Sequence, residues 1–180
     1  MSDRLLAVDA GWPGTLFEYA RNMKSIGCNL ERIAWAIVTH FHMDHAGLVS
    51  DFIERGIKCF VFEAQLASIE PMERTIEKNN KEYKRIAKGK LQTVRIEDSH
   101  SVLLDVGISA EVVATDYHSP DSVTLITDEM EAIVGDLPPA MQMMPDDVGY
   151  WKNIDLLRAK GVKTIYPSHA PAYHMEEITK

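Results

Sequence analysis

Thr39-His40-Phe41-His42-Met43-Asp44-His45 puts three imidazoles and a carboxylate within six residues. Further along stand His118 in Asp116-Tyr117-His118-Ser119-Pro120-Asp121-Ser122, Asp136 in Val134-Gly135-Asp136-Leu137, and His169 in Tyr166-Pro167-Ser168-His169-Ala170. Five of the seven histidines thus join two carboxylates in one constellation. That donor set suits zinc, and also iron or manganese. A metal pair implies a reaction class, attack by metal-bound hydroxide on a polarised centre. A single loop histidine reads as an ordinary surface or core residue. Three histidines and an aspartate within six residues do not.

The elements around these residues place them where α/β proteins put their sites. Ile33 to Val38 is an apolar run long enough for a strand buried on both faces, and His40 follows its end. Ala46 to Arg55 then reads as a helix stopped by Gly56, so the ligands sit on a strand-to-helix loop. His40 and His42 can converge on one ion, and Asp44 and His45 can turn toward a second. Leu5 to Val8 reads as a strand running into Asp9-Ala10-Gly11. Thr15 with Glu18 suggests a capping box for a helix from Leu16 to Ser25. Ile57 to Phe62 is another core strand. Glu63 to Leu66 begins a helical stretch in which Ile69, Met72, Ile76, Tyr83 and Ile86 recur at helical spacing. Leu91 to Ile96, Val102 to Val106 and Ile108 to Ala114 read as successive strands, the last leading to His118. Val123 to Thr127 and Glu131 to Val134 form a hairpin, and Asp136 follows its end. Trp151 to Lys160 is a helix, Val162 to Tyr166 a strand leading to His169, and a final helix is expected from about His174.

The pattern His-x-His-x-Asp-His, then a lone His, a lone Asp and a last His, resembles the metallo-β-lactamase superfamily from about Leu5 to His169. The resemblance implies an α/β fold, a four-layer αβ/βα sandwich with metals at one edge of its two sheets. It implies that His40, His42 and His118 hold the first metal and Asp44, His45 and His169 the second, with Asp136 bridging. A hydroxide would lie between ions ~3.5–4 Å apart, its pKa lowered toward ~7. Asp44 is the candidate catalytic residue, orienting that hydroxide. Asp9 stands where the family has a structural hydrogen-bonding aspartate near the site. The superfamily's true β-lactamases lack a bridging Asp at the position of Asp136. Hydroxyacylglutathione hydrolases, lactonases, RNA nucleases and flavodiiron proteins have it. Flavodiiron proteins usually carry Glu in place of the second histidine, so His42 favours a hydrolytic, zinc-type site. Family members also have two strands ahead of the one placed at Leu5–Val8. An exposed sheet edge there would favour a homo-oligomer.

Composition narrows the reading further. At 180 residues, 46% hydrophobic and 26% charged, the chain reads as a single domain over 1–180 with a sizeable core. No apolar stretch nears the ~20 residues of a membrane span, and Met1-Ser2-Asp3-Arg4 lacks a secretory apolar region. Cys28 and Cys59 form no Cys-x-x-Cys pair, which fits reduced thiols and a cytoplasmic location. The net charge of −8 repels nucleic acid. One segment runs the other way: Arg74, Lys78, Lys81, Lys84, Arg85, Lys88 and Lys90 against Glu73, Glu77 and Glu82 give 7 − 3 = +4. It reads as a solvated, ion-paired helix face, or alternatively as a basic lid. The remaining His100 and His174 are isolated. Tyr117 is expected to pack over its loop, while Tyr150 and Tyr173 are pocket-rim candidates by position alone.

Taken together, these residues lead to the expectation of a dinuclear hydrolase with two Zn2+ per chain (Fe or Mn as alternatives). Its substrate would be a small ester, lactone or thioester. The alternatives are a phosphodiesterase or nuclease on the same site, or a metal-binding protein without turnover.

Overall fold

In the computed structural model residues 4–81 and 83–179 are described. Met1, Ser2 and Asp3 of the amino-terminal reading, Glu82 of the basic segment and Lys180 lie outside them. Two compact units divide the chain, Met1–Arg95 and Ile96–Lys180.

In the first unit the apolar runs become a parallel sheet. Strands β1 (Leu5–Val8), β2 (Ile33–Ile37), β3 (Lys58–Phe62) and β4 (Gln92–Val94) lie in that order. Leu6 pairs with Trp35, Ala36 with Cys59 and Phe60 with Gln92. Parallel neighbours need crossovers, and the helices supply them: α1 (Leu16–Ser25), α2 (Met43–Ala46), α3 (Val49–Glu54) and α4 (Leu66–Asn79). Phe52, Val61, Ile69 and Leu48 are completely buried in this unit's core, with Ile33, Ala36 and Cys59 around them. The helix expected over 46–55 is in fact two short ones, α2 and α3, and α2 itself carries Asp44 and His45. The break falls at Gly47. A Cβ there would lie 2.3 Å from the Pro13 backbone nitrogen and 2.4 Å from the Met43 carbonyl oxygen. Helix α4 stops at Asn79, short of the stripe that runs to Ile86. Ile86 is buried nonetheless, because its N–H donates to the buried Glu73 carboxylate (2.6 Å) and ties the irregular segment back to the helix.

The second unit is a mixed sheet in the order β5 (Ala110–Ala114), β6 (Val123–Thr127), β7 (Glu131–Gly135), β8 (Thr164–Pro167), β9 (Tyr173–His174). The expected hairpin is present, Ile126 facing Ala132 and Leu125 facing Ile133. Helix α6 (Val148–Ala159) provides the crossover that makes β7 and β8 parallel. Tyr150, Ile154, Leu157 and Ile165 are fully buried in the core. Two expectations are corrected here. Val102–Val106 is not a strand but part of helix α5 (Ser99–Asp105). Ser99 and Leu103 are buried while Leu104 is half exposed, a helical rather than alternating pattern. Gly107, at φ 83°, then closes the helix, its N–H donating to Leu104 while Ile108 N–H donates to Leu103. The expected last helix is instead β9, antiparallel to β8, followed by a single 3-10 turn over Met175–Glu177. That pairing is closed by Met175 N–H donating to the Lys163 carbonyl.

Candidate metal centre

The first ligand group is built where β1 and β2 end side by side. Asp9 leaves β1 with a left-handed φ of 68°, its own N–H still bonded to the Ile37 carbonyl. This turn aims its carboxylate at the next loop. Oδ1 accepts from Thr39 N–H (2.7 Å) and from the Thr39 hydroxyl (3.0 Å), and Oδ2 lies 2.9 Å from His45 Nδ1. Two tautomers follow from these contacts. His45 donates Nδ1–H to Asp9, so Nε2 carries the lone pair. The Thr39 hydroxyl, having given its proton to Asp9, accepts from His40 Nδ1–H (3.1 Å), so His40 Nε2 also carries a lone pair. His40 Nε2 and His42 Nδ1 lie 3.0 Å apart, and His45 Nε2 is 3.5 Å from Asp44 Oδ2. The structure therefore brings together His40 with His42, and Asp44 with His45. His40 and His45 are buried; His42 is exposed.

A further residue holds this loop, and sequence reading overlooked it. Gln65 is completely buried; its Nε2 donates to the carbonyls of Val38 (3.0 Å) and Thr39 (3.4 Å), while its Oε1 accepts from Phe62 N–H (3.1 Å). The amide thus links the end of β3 to the residues immediately before His40.

The second ligand group is built on three strand ends of the other sheet. His118 projects from a loop after β5 that closes on itself. Thr115 N–H donates to Ser122 O (2.9 Å), and the Ser119 hydroxyl bridges Asp121 (2.9 Å) and Ser122 (2.8 Å). Asp136 follows β7 directly, after Gly135 at φ 59°. His169 follows β8, whose end is held when Ser168 N–H donates to the Gly135 carbonyl (2.9 Å). Asp136 divides its two oxygens: Oδ2 lies 3.5 Å from His118 Nε2 and Oδ1 lies 3.3 Å from His169 Nε2. A carboxylate facing a different imidazole with each oxygen has the form of a bridging ligand. Beside it is a cavity of about 180 Å³, walled by Leu137, Pro138, Pro139, Gln142, Pro167 and Ala170. Along 137–145, Leu137, Pro138, Pro139 and Gln142 form the wall, while Met141 and Met144 face solvent.

Other candidates fall outside both groups. The Tyr117 hydroxyl donates to Asp147 (2.7 Å), which raises the phenol's pKa, and Asp147 in turn caps α6 by accepting from Tyr150 N–H. Tyr150 is completely buried, donating to the Pro138 carbonyl (3.0 Å) beneath the cavity wall. His100 Nδ1 lies 3.2 Å from the Ala110 carbonyl oxygen. His174 pairs with Thr164, at the end of β8 opposite to His169, so it is not at the cavity rim.

The donors fit metal ions. In the first unit His40 lies 3.0 Å from His42 and Asp44 lies 3.5 Å from His45, and in the second Asp136 lies 3.5 Å from His118 and 3.3 Å from His169, each distance running between paired imidazole nitrogens or between an imidazole nitrogen and a carboxylate oxygen. Two histidines are fixed with a lone pair outward by bonds from the other ring nitrogen, the arrangement that metal-binding histidines use.

The fold matches known structures across nearly the whole chain. A metallo-beta-lactamase from Erythrobacter litoralis is 17% identical, with a TM-score of 0.68 over 99% of this chain and 78% of that one. FIM-1 from Pseudomonas aeruginosa, in its mono-zinc form, is 20% identical, with a TM-score of 0.60 over 98% and 76%. TTHA1623, in a di-iron-bound form, is 17% identical, with a TM-score of 0.65 over 94% and 83%. At these identities the likeness is one of fold, an α/β arrangement of two sheets with helices. The family itself is established by the Metallo-beta-lactamase superfamily profile, which matches residues 3–169: the chain belongs to this superfamily and is a metal-dependent hydrolase.

Proposed function

We propose that His40, His42, His118, Asp44, His45, His169 and Asp136 serve one dinuclear zinc centre that hydrolyses a small ester, lactone or thioester. The observation that carries this reading is the split of Asp136 between His118 and His169. One ion per imidazole group, with Asp136 shared, uses every ligand that the family pattern requires. Five imidazoles and two carboxylates favour zinc, although the related folds hold zinc in one case and iron in another. Bound there, the ions would polarise a carbonyl and supply a water acidic enough to attack near neutral pH.

The chain's own residues do the rest. Asp9 and Thr39 fix the two tautomers before any ion arrives. Asp44, in the first turn of α2, is the group placed to hold and orient the attacking water's proton. The wall of Leu137, prolines and Ala170 suits an apolar acyl or lactone ring, and Gln142 offers one amide to a substrate oxygen. A net charge of −8 disfavours nucleic acid as the substrate. The free thiols Cys28 and Cys59 support a reducing compartment.

Metal analysis after zinc reconstitution should give two equivalents per chain, and Asp136→Ala should lower that number. Across esters, lactones, thioesters and phosphodiesters, turnover is expected for one of the first three. Asp44→Ala should then cut kcat by roughly 10²–10⁴-fold with a smaller change in KM. Turnover confined to phosphodiesters would replace the substrate class. Two bound ions with no turnover across the panel would leave a metal-binding protein.

A further inference from the structure

The hydrogen bond between Tyr117 and Asp147 spans 30 residues and joins a helix end seated in the core to the exposed turn that carries His118. Asp147 caps α6, its Oδ1 accepting from Tyr150 N–H (3.0 Å), and the first turn of that helix buries Tyr150 and Trp151 in the core of the second unit. Its other oxygen, Oδ2, accepts from the Tyr117 hydroxyl (2.7 Å). The bond from Tyr150 and then the one from Tyr117 hold the Asp147 carboxyl below its usual range. Tyr117 thus donates to an ionised acceptor, which makes the shorter and stronger kind of hydrogen bond. The Tyr117 ring also stands edge-on to the Tyr150 ring, centroids 5.4 Å apart.

His118 is gripped on both flanks. On one side Ser119 is buried, its N–H donating to the Ser122 hydroxyl (3.2 Å). On the other, Asp116 meets the exposed Lys152 at 3.7 Å, a surface pair worth little, so the firm hold there is the Tyr117 hydroxyl. The same turn of α6 reaches the segment of Asp136, because the Tyr150 hydroxyl donates to the carbonyl of Pro138, two residues further on (3.0 Å). The start of α6 therefore braces both members of the His118–Asp136 pair, whose Nε2 and Oδ2 lie 3.5 Å apart. Ligands of one ion must keep their spacing within about 0.5 Å. From this we infer that Tyr117 is a positioning residue: its hydroxyl, anchored on Asp147, holds His118 at the spacing from Asp136 that a shared metal ion needs. The inference rests on the reading of His118 and Asp136 as ligands of one ion. Packing alone would not need the hydroxyl, since phenylalanine keeps the ring against Tyr150.

The test is competition with a chelator for zinc, with the visible spectrum of the cobalt(II)-loaded protein as a second readout. The arms are wild type, Tyr117→Phe, Asp147→Ser, their double variant, His118→Ala and Leu157→Ala. His118→Ala identifies the ion concerned by the affinity it lowers. Tyr117→Phe should lower the same affinity roughly tenfold and alter the cobalt bands. Asp147→Ser should do likewise: serine caps a helix as well as aspartate does, but its single oxygen is taken by Tyr150 N–H. The double variant should stay within about twofold of the single ones, because all three lose one and the same bond. Leu157→Ala opens the core about two turns beyond Tyr150, so it should lower Tm and leave zinc affinity and the cobalt spectrum unchanged. Wild-type affinity and spectrum in Tyr117→Phe, beside a loss in His118→Ala, overturn the inference alone. A Leu157→Ala variant that reproduces the Tyr117→Phe effects also overturns it, since the bond would then serve general stability. Unchanged zinc binding in His118→Ala would sink the ligand reading itself, and the inference with it.

Discussion

Asp9 shows how much of a metal site can rest on a residue that touches no metal. It has a left-handed backbone, which costs most residues about 1–2 kcal/mol and aspartate less. In return its carboxylate reaches Thr39 and His45 together. Asp9→Ala would leave His45 free to present either ring nitrogen and would loosen the Thr39–His40 contact. We expect zinc affinity, measured by competition with a chelator, to fall about 10–100-fold, the usual cost of losing such a partner. Affinity within twofold of wild type would mean the backbone alone orients the loop. Asp9 was readable in the sequence only through its resemblance to the family's structural aspartate. Gln65 was not. Its partners, Val38 and Thr39, lie 27 and 26 residues away, and no local spacing marks a glutamine whose amide will be buried against a distant loop.

At the scale of elements, strand ends were legible and helix breaks were not. The candidate ligands follow the ends of apolar strands, β2 before His40, β5 before His118, β7 before Asp136 and β8 before His169. The confusion of α5 with a strand arose because Val102-Leu103-Leu104 is a continuous apolar run, which periodicity alone cannot assign. The break between α2 and α3 was hidden for another reason. Gly47 is demanded by contact, not by dihedral angle: its φ of −62° would suit any residue. What excludes a side chain is the close approach of Pro13, from the turn after β1, with Gly47 N–H donating to the Gly11 carbonyl (2.9 Å). Gly47→Ala therefore forces one backbone off another. Since backbone cannot rotate away as a side chain can, a cost of about 3 kcal/mol or more is expected in denaturant unfolding. Displacement of α2 should weaken zinc binding as well, through Asp44 and His45. A variant with unchanged stability would show that the 9–14 turn moves easily, and would remove Pro13 from the list of residues that position the site.

At the scale of the whole molecule, charge decides which substrates approach. The chain carries −8, and two divalent ions would bring it to −4, still negative. The basic run over 74–90 offers little to counter this at long range, because Arg74, Lys84, Arg85 and Lys88 are already paired with acids. Arg85 holds Glu77 at 2.7 Å and Glu70 at 3.0 Å, and hydrogen bonds from Arg85, Arg74 and Lys88 push the Glu70 carboxyl down to about 2. A solvated, internally paired surface steers anions poorly, whereas the net negative field repels them. Raising ionic strength from 0.01 M to 0.15 M shortens the screening length from ~30 Å to ~8 Å. For an anionic ester kcat/KM should therefore rise with salt, while a neutral lactone of similar size changes little. The opposite sign would matter more: a fall with salt, abolished by charge reversal at Lys81, Lys84 and Arg85, would mean that Lys84 and Arg85 leave their acid partners and, with Lys81, close over the substrate as a basic lid.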